Sequence, residues 1–177
     1  YIQKDSLINE RIDKLRHAAT RALIERRDVV IISSVSCIYG LGSREAYDGM
    51  LLRLKVGQEI DRQVMLRKLV EIQYERNDAD FHRGTFRARG DVIEIFPAHE
   101  DERALRIELF GDEIERISVI DSLRGNRLEE LDMVAVYPAS HYVTPQEKLE
   151  AAVDAIRDEL EVRLEDLRGR DRLLEAQ

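Results

Sequence analysis

The stretch "TFRARGDVIEIFP", residues 85–97, decides the fold that the sequence predicts. On either side of a central Gly-Asp pair, apolar and polar residues alternate, which is typical of β-strands with one buried face. The Gly-Asp pair itself favours a tight hairpin turn. We therefore predict two antiparallel strands, with Phe86 and Ala88 facing the core. The residues predicted on the opposite face are Thr85, Arg87 and Arg89.

A second hairpin follows the same pattern. In "ALRIELFGDEIERISVID", residues 104–121, the apolar positions alternate with Arg106 and Glu108 before another Gly-Asp turn. "MVAVYP", residues 133–138, predicts a further strand. The segment from residue 85 onward is therefore predicted to form an antiparallel sheet.

Helical periodicity dominates the chain on both sides of these strands. Residues 6–26 predict a helix capped by Asp5 or Ser6. Its expected apolar face consists of Ile8, Ile12, Leu15, Ala19, Ala22 and Leu23. A short helix is expected from Arg44, capped by Ser43, and a longer one within residues 61–78. The apolar set expected for the longer helix is Val64, Leu66, Leu69, Val70 and Tyr74.

Two further patterns lie near the ends of the chain. The run Val29 to Ile32 is apolar at every position, which favours a strand buried on both faces, as in a parallel sheet. Thr144, Pro145 and Glu147 are typical of a helix start. The helix that follows carries one narrow apolar stripe and is otherwise highly charged. The stripe consists of Leu149, Val153, Ile156, Leu160, Leu164 and Leu167.

These patterns together predict an α+β protein with three parts. Residues 1–49 are expected to be a partial α/β segment, residues 50–143 a central antiparallel-sheet domain with helices, and residues 144–177 a charged helical segment. The first and last parts are predicted to be incomplete, and for the first the reason is that a single parallel strand cannot bury both of its faces.

Composition limits the classes of function. The 177 residues carry a net charge of −8 and are 44% hydrophobic and 36% charged. An acidic chain is a poor general DNA binder, because non-specific affinity comes from neutralising phosphates. No apolar run approaches the ~20 residues that span a membrane. With one cysteine, Cys37, no internal disulfide can form, which favours a reducing cytoplasm.

Motifs for catalysis or cofactor binding are weak. "GLGSRE", residues 40–45, lacks the lysine and the spacing of a phosphate-binding loop. "LFGDEIE", residues 109–115, is better explained as a hairpin turn than as a magnesium-binding Asp-Glu box. The four histidines are scattered and form no ligand-spaced cluster with Cys37. We therefore predict no catalytic residue, metal ligand or cofactor-binding residue in this chain.

The charged face of the predicted sheet leaves two interpretations open. It should carry Arg87, Arg89, Arg106 and Glu108, with Arg76 just upstream. Charged sheet faces are often simply solvated, with ion pairs worth ~0.2–1 kcal/mol each. The alternative is a polar surface whose arginines bind carboxylates on a partner. Both Arg87 and Arg89 are expected to be exposed, so that replacing them should leave the fold intact.

Four long motifs resemble one family. They are "RRDVVIISSVSCIYGLGS" at 26–43, "QYERNDADFHRGTFRARGDVIEIFPA" at 73–98, "IELFGDEIERI" at 107–117 and "PASHYVTPQEKLE" at 138–150. Together they closely resemble the UvrB family, the B subunits of the bacterial UvrABC excinuclease. The resemblance runs over essentially the whole chain.

The resemblance implies a role in nucleotide excision repair. Members of the family are helicase-like ATPases that receive damaged DNA from UvrA, verify the lesion and recruit UvrC. The chain would be an internal segment of such a protein, with the phosphate-binding loop upstream and the Asp-Glu box downstream. ATP and magnesium would therefore serve the full-length protein only. Residues 1–49 would belong to the first helicase-like domain, and residues 50–143 would be the inserted UvrA-interaction domain.

The resemblance also assigns roles to single residues. By position it implies UvrA binding for Arg76, Arg87, Arg89, Arg106 and Glu108. Tyr1 would be the last aromatic residue of a DNA-clamping hairpin. Two alternatives remain: the UvrB-like module of the transcription–repair coupling factor, which shares the "LFGDEIE" pattern, and a free-standing ATPase or nuclease. The second predicts nucleotide binding, and the missing lysine argues against it.

Overall fold

The computed structural model describes residues 9–35, 44–142 and 146–177. It divides the chain into two compact units, Tyr1–Val143 and Thr144–Gln177. Both helices and strands are present, so the predicted α+β class is confirmed. Among the helices of the described ranges, none is long and apolar enough to cross a bilayer.

A six-stranded sheet organises the first unit. Its strand order follows the chain from β2 to β7 without a crossover. All neighbours are antiparallel except β2 and β3, which run parallel. The strands are β2 (Glu75–Arg76), β3 (Thr85–Arg89), β4 (Val92–Ile95), β5 (Arg103–Phe110), β6 (Glu113–Asp121) and β7 (Arg127–Leu131).

The two predicted hairpins form the centre of this sheet. Between β3 and β4 the chain turns at Gly90, whose φ of 59° lies in the left-handed region that glycine adopts without strain. Gly111, at φ 63°, turns β5 into β6 in the same way. Phe86 and Ala88 are buried while Arg87 and Arg89 point the other way, as the alternation predicted.

The core lies against one face of the sheet. Ile93 of β4 and Ile107 of β5 are cross-strand partners and are fully buried. Helix α3 (Arg62–Glu71) contributes to the same cluster and is capped by Asp61, whose side chain accepts from the Val64 backbone N–H at 2.9 Å. The residues of this region that join the cluster are Met65, Leu66, Leu69, Ile72 and Tyr74. The prediction was wrong for Val64 and Val70, which are exposed because they lie on the solvent side of α3.

A separate two-stranded ribbon pairs the strand that precedes the six-stranded sheet in the chain with the strand that follows it. It pairs β1 (Leu52–Lys55) with β8 (Met133–Val136) in antiparallel register, so that Leu52 lies opposite Val136. Leu52, Leu54 and Val136 are buried in the main core. β1 and β8, the first and last strands of the first unit, are therefore neighbours.

The first helix begins later than predicted. Helix α1 spans Glu10–Glu25, and its cap is Asn9, whose side chain accepts from the Ile12 backbone N–H at 3.1 Å. The predicted caps Asp5 and Ser6 lie outside the described residues. The predicted apolar face is largely exposed at Ile12, Leu15 and Leu23, because the rest of the unit packs against the opposite side, which carries His17.

The predicted buried strand at Val29 to Ile32 was wrong. These residues have no strand structure, and Val30 and Ile32 are 88% and 96% exposed. A strand needs a neighbour to satisfy its backbone hydrogen bonds, and within the described ranges none is paired with this segment. An apolar run alone does not determine a strand.

The remaining helices were predicted in position. Helix α2 spans Arg44–Gly49, and its predicted cap Ser43 lies outside the described residues. Helix α4 spans Gln146–Gly169, and its predicted start at Thr144 and Pro145 is also outside. Along α4 the predicted stripe is exposed at its first four positions, half-buried at Leu164 and buried at Leu167.

Candidate functional site: a charged sheet face

The sheet face opposite the core carries a cluster of charged side chains, which we call the charged face. Cross-strand register sets Arg87 opposite Glu94, and Glu94 opposite Arg106, in one row across three strands. A second row sets Glu108 opposite Arg116. The charged face is defined by Arg87, Arg89, Glu94, Arg106, Glu108, Arg116, Arg127 and Glu130.

Glu94 lies at the centre of the charged face and is only 7% exposed. Its carboxylate accepts a hydrogen bond from Nε of Arg87 on one side. On the other side Arg106 donates from Nε at 2.8 Å and pairs through Nη2 at 2.6 Å, both to Oε1. A buried carboxylate needs such partners, because desolvation disfavours its charged form.

The pKa of Glu94 shows which of these effects is larger. Burial raises the pKa of the carboxyl, but the hydrogen bonds from Arg87 and then Arg106 lower it more. The resulting pKa lies below the ordinary value for glutamate. Glu94 is therefore an anion at neutral pH despite its burial.

Arg87 is held on a second side by an aromatic ring. Its guanidinium carbon lies 4.3 Å from the centroid of the Phe81 ring, within the range of a cation–π contact. The Arg87 side chain is 21% exposed. The expectation that Arg87 is a free surface residue was therefore wrong, because its guanidinium bridges Glu94 and Phe81.

Arg89 and Arg76 form the exposed end of the site around Asp78. The Asp78 carboxylate accepts from the Ala88 backbone N–H at 3.0 Å and from Nη2 of Arg76 at 3.0 Å. Its backbone carbonyl accepts from Nη2 of Arg89 at 3.1 Å. The bond from Ala88, followed by that from Arg76, lowers the pKa of Asp78. Both arginines are exposed, as predicted for Arg89.

The other end of the charged face centres on Glu108. Its Oε2 accepts from Nη1 of Arg116 at 3.0 Å and from Nη2 of Arg127 at 3.3 Å. Glu130 pairs with Arg127 at 2.9 Å and with Arg116 at 3.7 Å. Glu108 is thus part of an alternating network in which each charge has partners of opposite sign.

A shallow groove of about 330 Å³ runs over this face. The residues that line it are Arg87, Arg89, Val92, Glu94, Arg106 and Glu108. Four of them are the predicted residues Arg87, Arg89, Arg106 and Glu108, which the sheet register brings together. Guanidinium groups supply fixed hydrogen-bond donors that suit carboxylates, so the groove is equipped for polar recognition.

Sequence analysis missed four members of the charged face: Glu94, Arg116, Arg127 and Glu130. Glu94 could have been found, because it and Arg87 are equidistant from the Gly-Asp turn and must face each other in a two-residue hairpin. Arg116 could not, because a register shift between Glu108 and Leu109 moves it by one position. Arg127 and Glu130 lie on β7, a strand that was not predicted. Tyr1 and Cys37 lie outside the described residues.

Two of the scattered histidines meet in the structure. The rings of His17 and His141 stack with centroids 3.9 Å apart, and Asp13 lies nearby with its Oδ2 3.7 Å from Nε2 of His17. Burial, with the neighbouring His141, lowers the pKa of His17 to about 3. Thr20 Oγ1 lies 3.1 Å from Nε2 of His141. This cluster holds α1 against the segment after β8.

The stacked geometry does not fit one metal ion. Asp13, His17 and His141 bring their potential ligand atoms within 4.8 Å of one another. However, the two rings are inclined by only 28° with their centroids 3.9 Å apart, so their planes lie one above the other and nearly parallel. A metal binds imidazole nitrogen in the ring plane at about 2.0–2.1 Å, and two such rings cannot point at one ion.

Comparison with known proteins places this chain in a family. The family model described as "UvrB interaction domain" matches residues 52–142, which begin with β1 and include the whole charged face. This match covers just over half of the chain.

Relatives match from one end of the chain to the other. The UvrABC system protein B of Syntrophotalea carbinolica is 62% identical over 177 residues, covering 100% of this chain and 26% of that protein. The proteins of the same name from Geobacillus kaustophilus and Bacillus caldotenax are each 60% identical over 100% of this chain and 27% of their own length. The chain thus spans about a quarter of the length of these curated relatives. The match to the family model covers just over half of the chain, and the chain belongs to the UvrB interaction domain family.

Proposed function

We propose that this chain is part of a nucleotide excision repair subunit and that it docks a UvrA partner through the charged face. The observation that carries the proposal is the groove of guanidinium and carboxylate groups on the domain that the family model describes as an interaction domain. The relatives that match the whole chain are named components of the UvrABC system, which supports UvrA as the partner. The same naming favours this function over the transcription–repair coupling factor.

The charge of the face indicates what it recognises. Five arginines and three glutamates form it, so it is net positive on a chain whose net charge is −8. A local positive surface on an acidic protein attracts a partner with an acidic surface and repels proteins whose surface is positive. We propose that carboxylate side chains of UvrA bind the exposed end of the groove, with Arg89 and Arg76 as donors.

The remaining functions belong to the longer protein in this proposal. We propose residues 50–143 as the UvrA-docking domain, residues 1–49 as part of a helicase-like domain and residues 144–177 as the start of a helical subdomain. ATP, magnesium, damaged DNA and UvrC would be bound by the full-length excinuclease subunit, with Tyr1 contributing to a DNA-clamping hairpin. Its place of action would be the cytoplasm, and this chain alone would hydrolyse no ATP.

The test is a titration of this chain with purified UvrA, comparing two single variants. Arg89→Ala removes an exposed guanidinium from the charged face, and we expect it to raise Kd about tenfold, as for an arginine that contacts the partner directly. Arg67→Ala is the matched control, because Arg67 is exposed on α3, which packs against the other face of the sheet. The control should bind like wild type.

Two results would refute the proposal. If a folded wild-type chain shows no binding to UvrA, the chain has no docking function of its own. If Arg67→Ala and Arg89→Ala weaken binding equally, the charged face is not the docking surface. A strong dependence of the association rate on salt, reduced in Arg89→Ala, would further support the electrostatic part of the proposal.

A further inference from the structure

We infer that Glu94 is a positioning residue for docking: its buried carboxylate fixes the guanidinium groups of Arg87 and Arg106 in the orientation that the partner meets. This inference rests on the proposed docking function. It assigns a role to a side chain that was not among the predicted site residues, and it makes Glu94 act through two arginines rather than by touching the partner.

The geometry supports the inference directly. Glu94 lies between Arg87 on β3 and Arg106 on β5, each one strand away in register. Arg106 brings both Nε and Nη2 to one carboxylate oxygen, at 2.8 and 2.6 Å, which fixes the plane of its guanidinium. Arg87 donates Nε to the other oxygen and lies 4.3 Å from the Phe81 ring centroid. Each guanidinium is thus held by at least two contacts.

The remaining donors explain why positioning serves binding. A guanidinium carries five N–H donors in a fixed fork. Glu94 engages Nε of Arg87, and Nε and Nη2 of Arg106. Among the described contacts this leaves Nη groups of both arginines available at the groove, where the two side chains are 21% and 23% exposed. A partner carboxylate would meet donors that are already in place.

The energetic reason is conformational entropy. A free arginine side chain samples many rotamers, and a partner that binds it must restrict them. Groups that are ordered before binding lose less freedom on binding, which increases affinity without any new contact. Glu94 also separates two cations that would otherwise face each other across β4 without a counter-ion.

The ionisation of Glu94 is consistent with this role. Burial alone would raise its pKa, but the bonds from Arg87 and Arg106 bring the pKa below the ordinary value. The carboxylate therefore remains charged at neutral pH and keeps both arginines bound. A neutral side chain of the same shape would hold them more weakly.

The experiment is a double-mutant cycle on UvrA binding. Glu94→Gln keeps the shape of the side chain and removes its charge, and we expect it to raise Kd about tenfold. The same substitution is then made in a chain that already carries Arg87→Ala and Arg106→Ala. There we expect it to change Kd less than twofold, because the groups that Glu94 positions are gone. Urea titration of each variant tests whether it is folded.

Each outcome separates the possible roles. If Glu94→Gln raises Kd by the same factor in both backgrounds, Glu94 acts through general stability and the inference is wrong. An unchanged Kd in the single variant also overturns it. If wild type does not bind UvrA at all, the proposed docking function fails and the inference fails with it. Should Glu94→Gln lose its cooperative urea transition, Glu94→Asp replaces it in the same cycle, since it retains the charge but cannot reach both arginines.

Discussion

Arg87 and Arg89 lie two residues apart on one strand, yet their replacement by alanine should affect stability very differently. We predict that Arg87→Ala lowers the free energy of unfolding of the sheet module substantially and that Arg89→Ala hardly changes it. The sequence presents the two arginines as equivalent. The structure distinguishes them by what each guanidinium contacts.

The magnitude follows from the partners that Arg87 leaves behind. Its bond to the buried Glu94 carboxylate belongs to the class worth about 1.5–3 kcal/mol, and its contact with Phe81 adds ~0.5–1 kcal/mol. Because Arg106 still pairs with Glu94, the loss stays below the 3–5 kcal/mol typical of a fully unpaired buried charge. We expect about 2–3 kcal/mol in total. Arg89 is exposed and donates to one backbone carbonyl, so its loss should cost within about 0.5 kcal/mol.

Urea unfolding followed by tyrosine fluorescence measures the difference. All six tyrosines precede residue 144, so the signal reports the sheet-containing unit and not α4. A lower midpoint with an unchanged slope in Arg87→Ala indicates a loss of stability alone. The reasoning is refuted if the two variants shift the midpoint equally, or if Arg89→Ala shifts it more.

Two further predictions concern buried groups of the same unit. Tyr74→Phe removes the hydroxyl that donates to the Tyr137 carbonyl at 3.0 Å, and urea unfolding should show a free energy of unfolding lower by about 1–2 kcal/mol. Tyr142→Phe is the control, because Tyr142 is 66% exposed, and it should change the free energy of unfolding little. Equal effects of the two substitutions would contradict this prediction. Burial lowers the pKa of His17 to about 3 in the folded protein, against about 6.5 in the unfolded chain. The unfolded chain therefore binds more protons, and this contribution to stability is complete above pH 6.5 and is lost as pH falls towards 3. His17→Gln should therefore lose less stability between pH 7 and pH 4.5 than wild type, and parallel losses would count against the stacked pair as the cause.

Short-range patterns were enough to predict the centre of the sheet. Alternation and the two Gly-Asp turns identified β3 to β6, and the alternation placed Arg87, Arg89, Arg106 and Glu108 on one face. These features depend on residues a few positions apart, which is the range over which sequence patterns are informative.

Elements that depend on distant partners were missed or misread. β7, Arg127–Leu131, is an exposed edge strand with a charged sequence, and only its pairing with β6 defines it. β1, with the short sequence Leu-Arg-Leu-Lys, was not predicted, and it is a strand because β8 pairs with it from far along the chain. Val29 to Ile32 shows the converse, since an apolar run without a neighbouring strand stays irregular and exposed.

Four of the eight members of the charged face were predicted from the sequence, but the way their side chains are organised was not. Alternation showed which side chains share a face, but it could not show that Arg87 is tied to Glu94 and Phe81 while Arg89 remains accessible. The link from Arg76 to Arg89 through Asp78 is also tertiary, because it depends on the parallel pairing of β2 with β3. The family resemblance named these residues without distinguishing their physical roles.

The ribbon of β1 and β8 brings together the two ends of the segment that contains the six-stranded sheet. Because neighbouring strands lie about 4.8 Å apart, the polypeptide enters the module and leaves it at almost one point. Adjacent ends are the property that lets one domain be inserted into a surface loop of another without stretching either. A host protein could gain or lose the residues from β1 to β8 at a single loop, and the groove on the charged face would move with them as one unit.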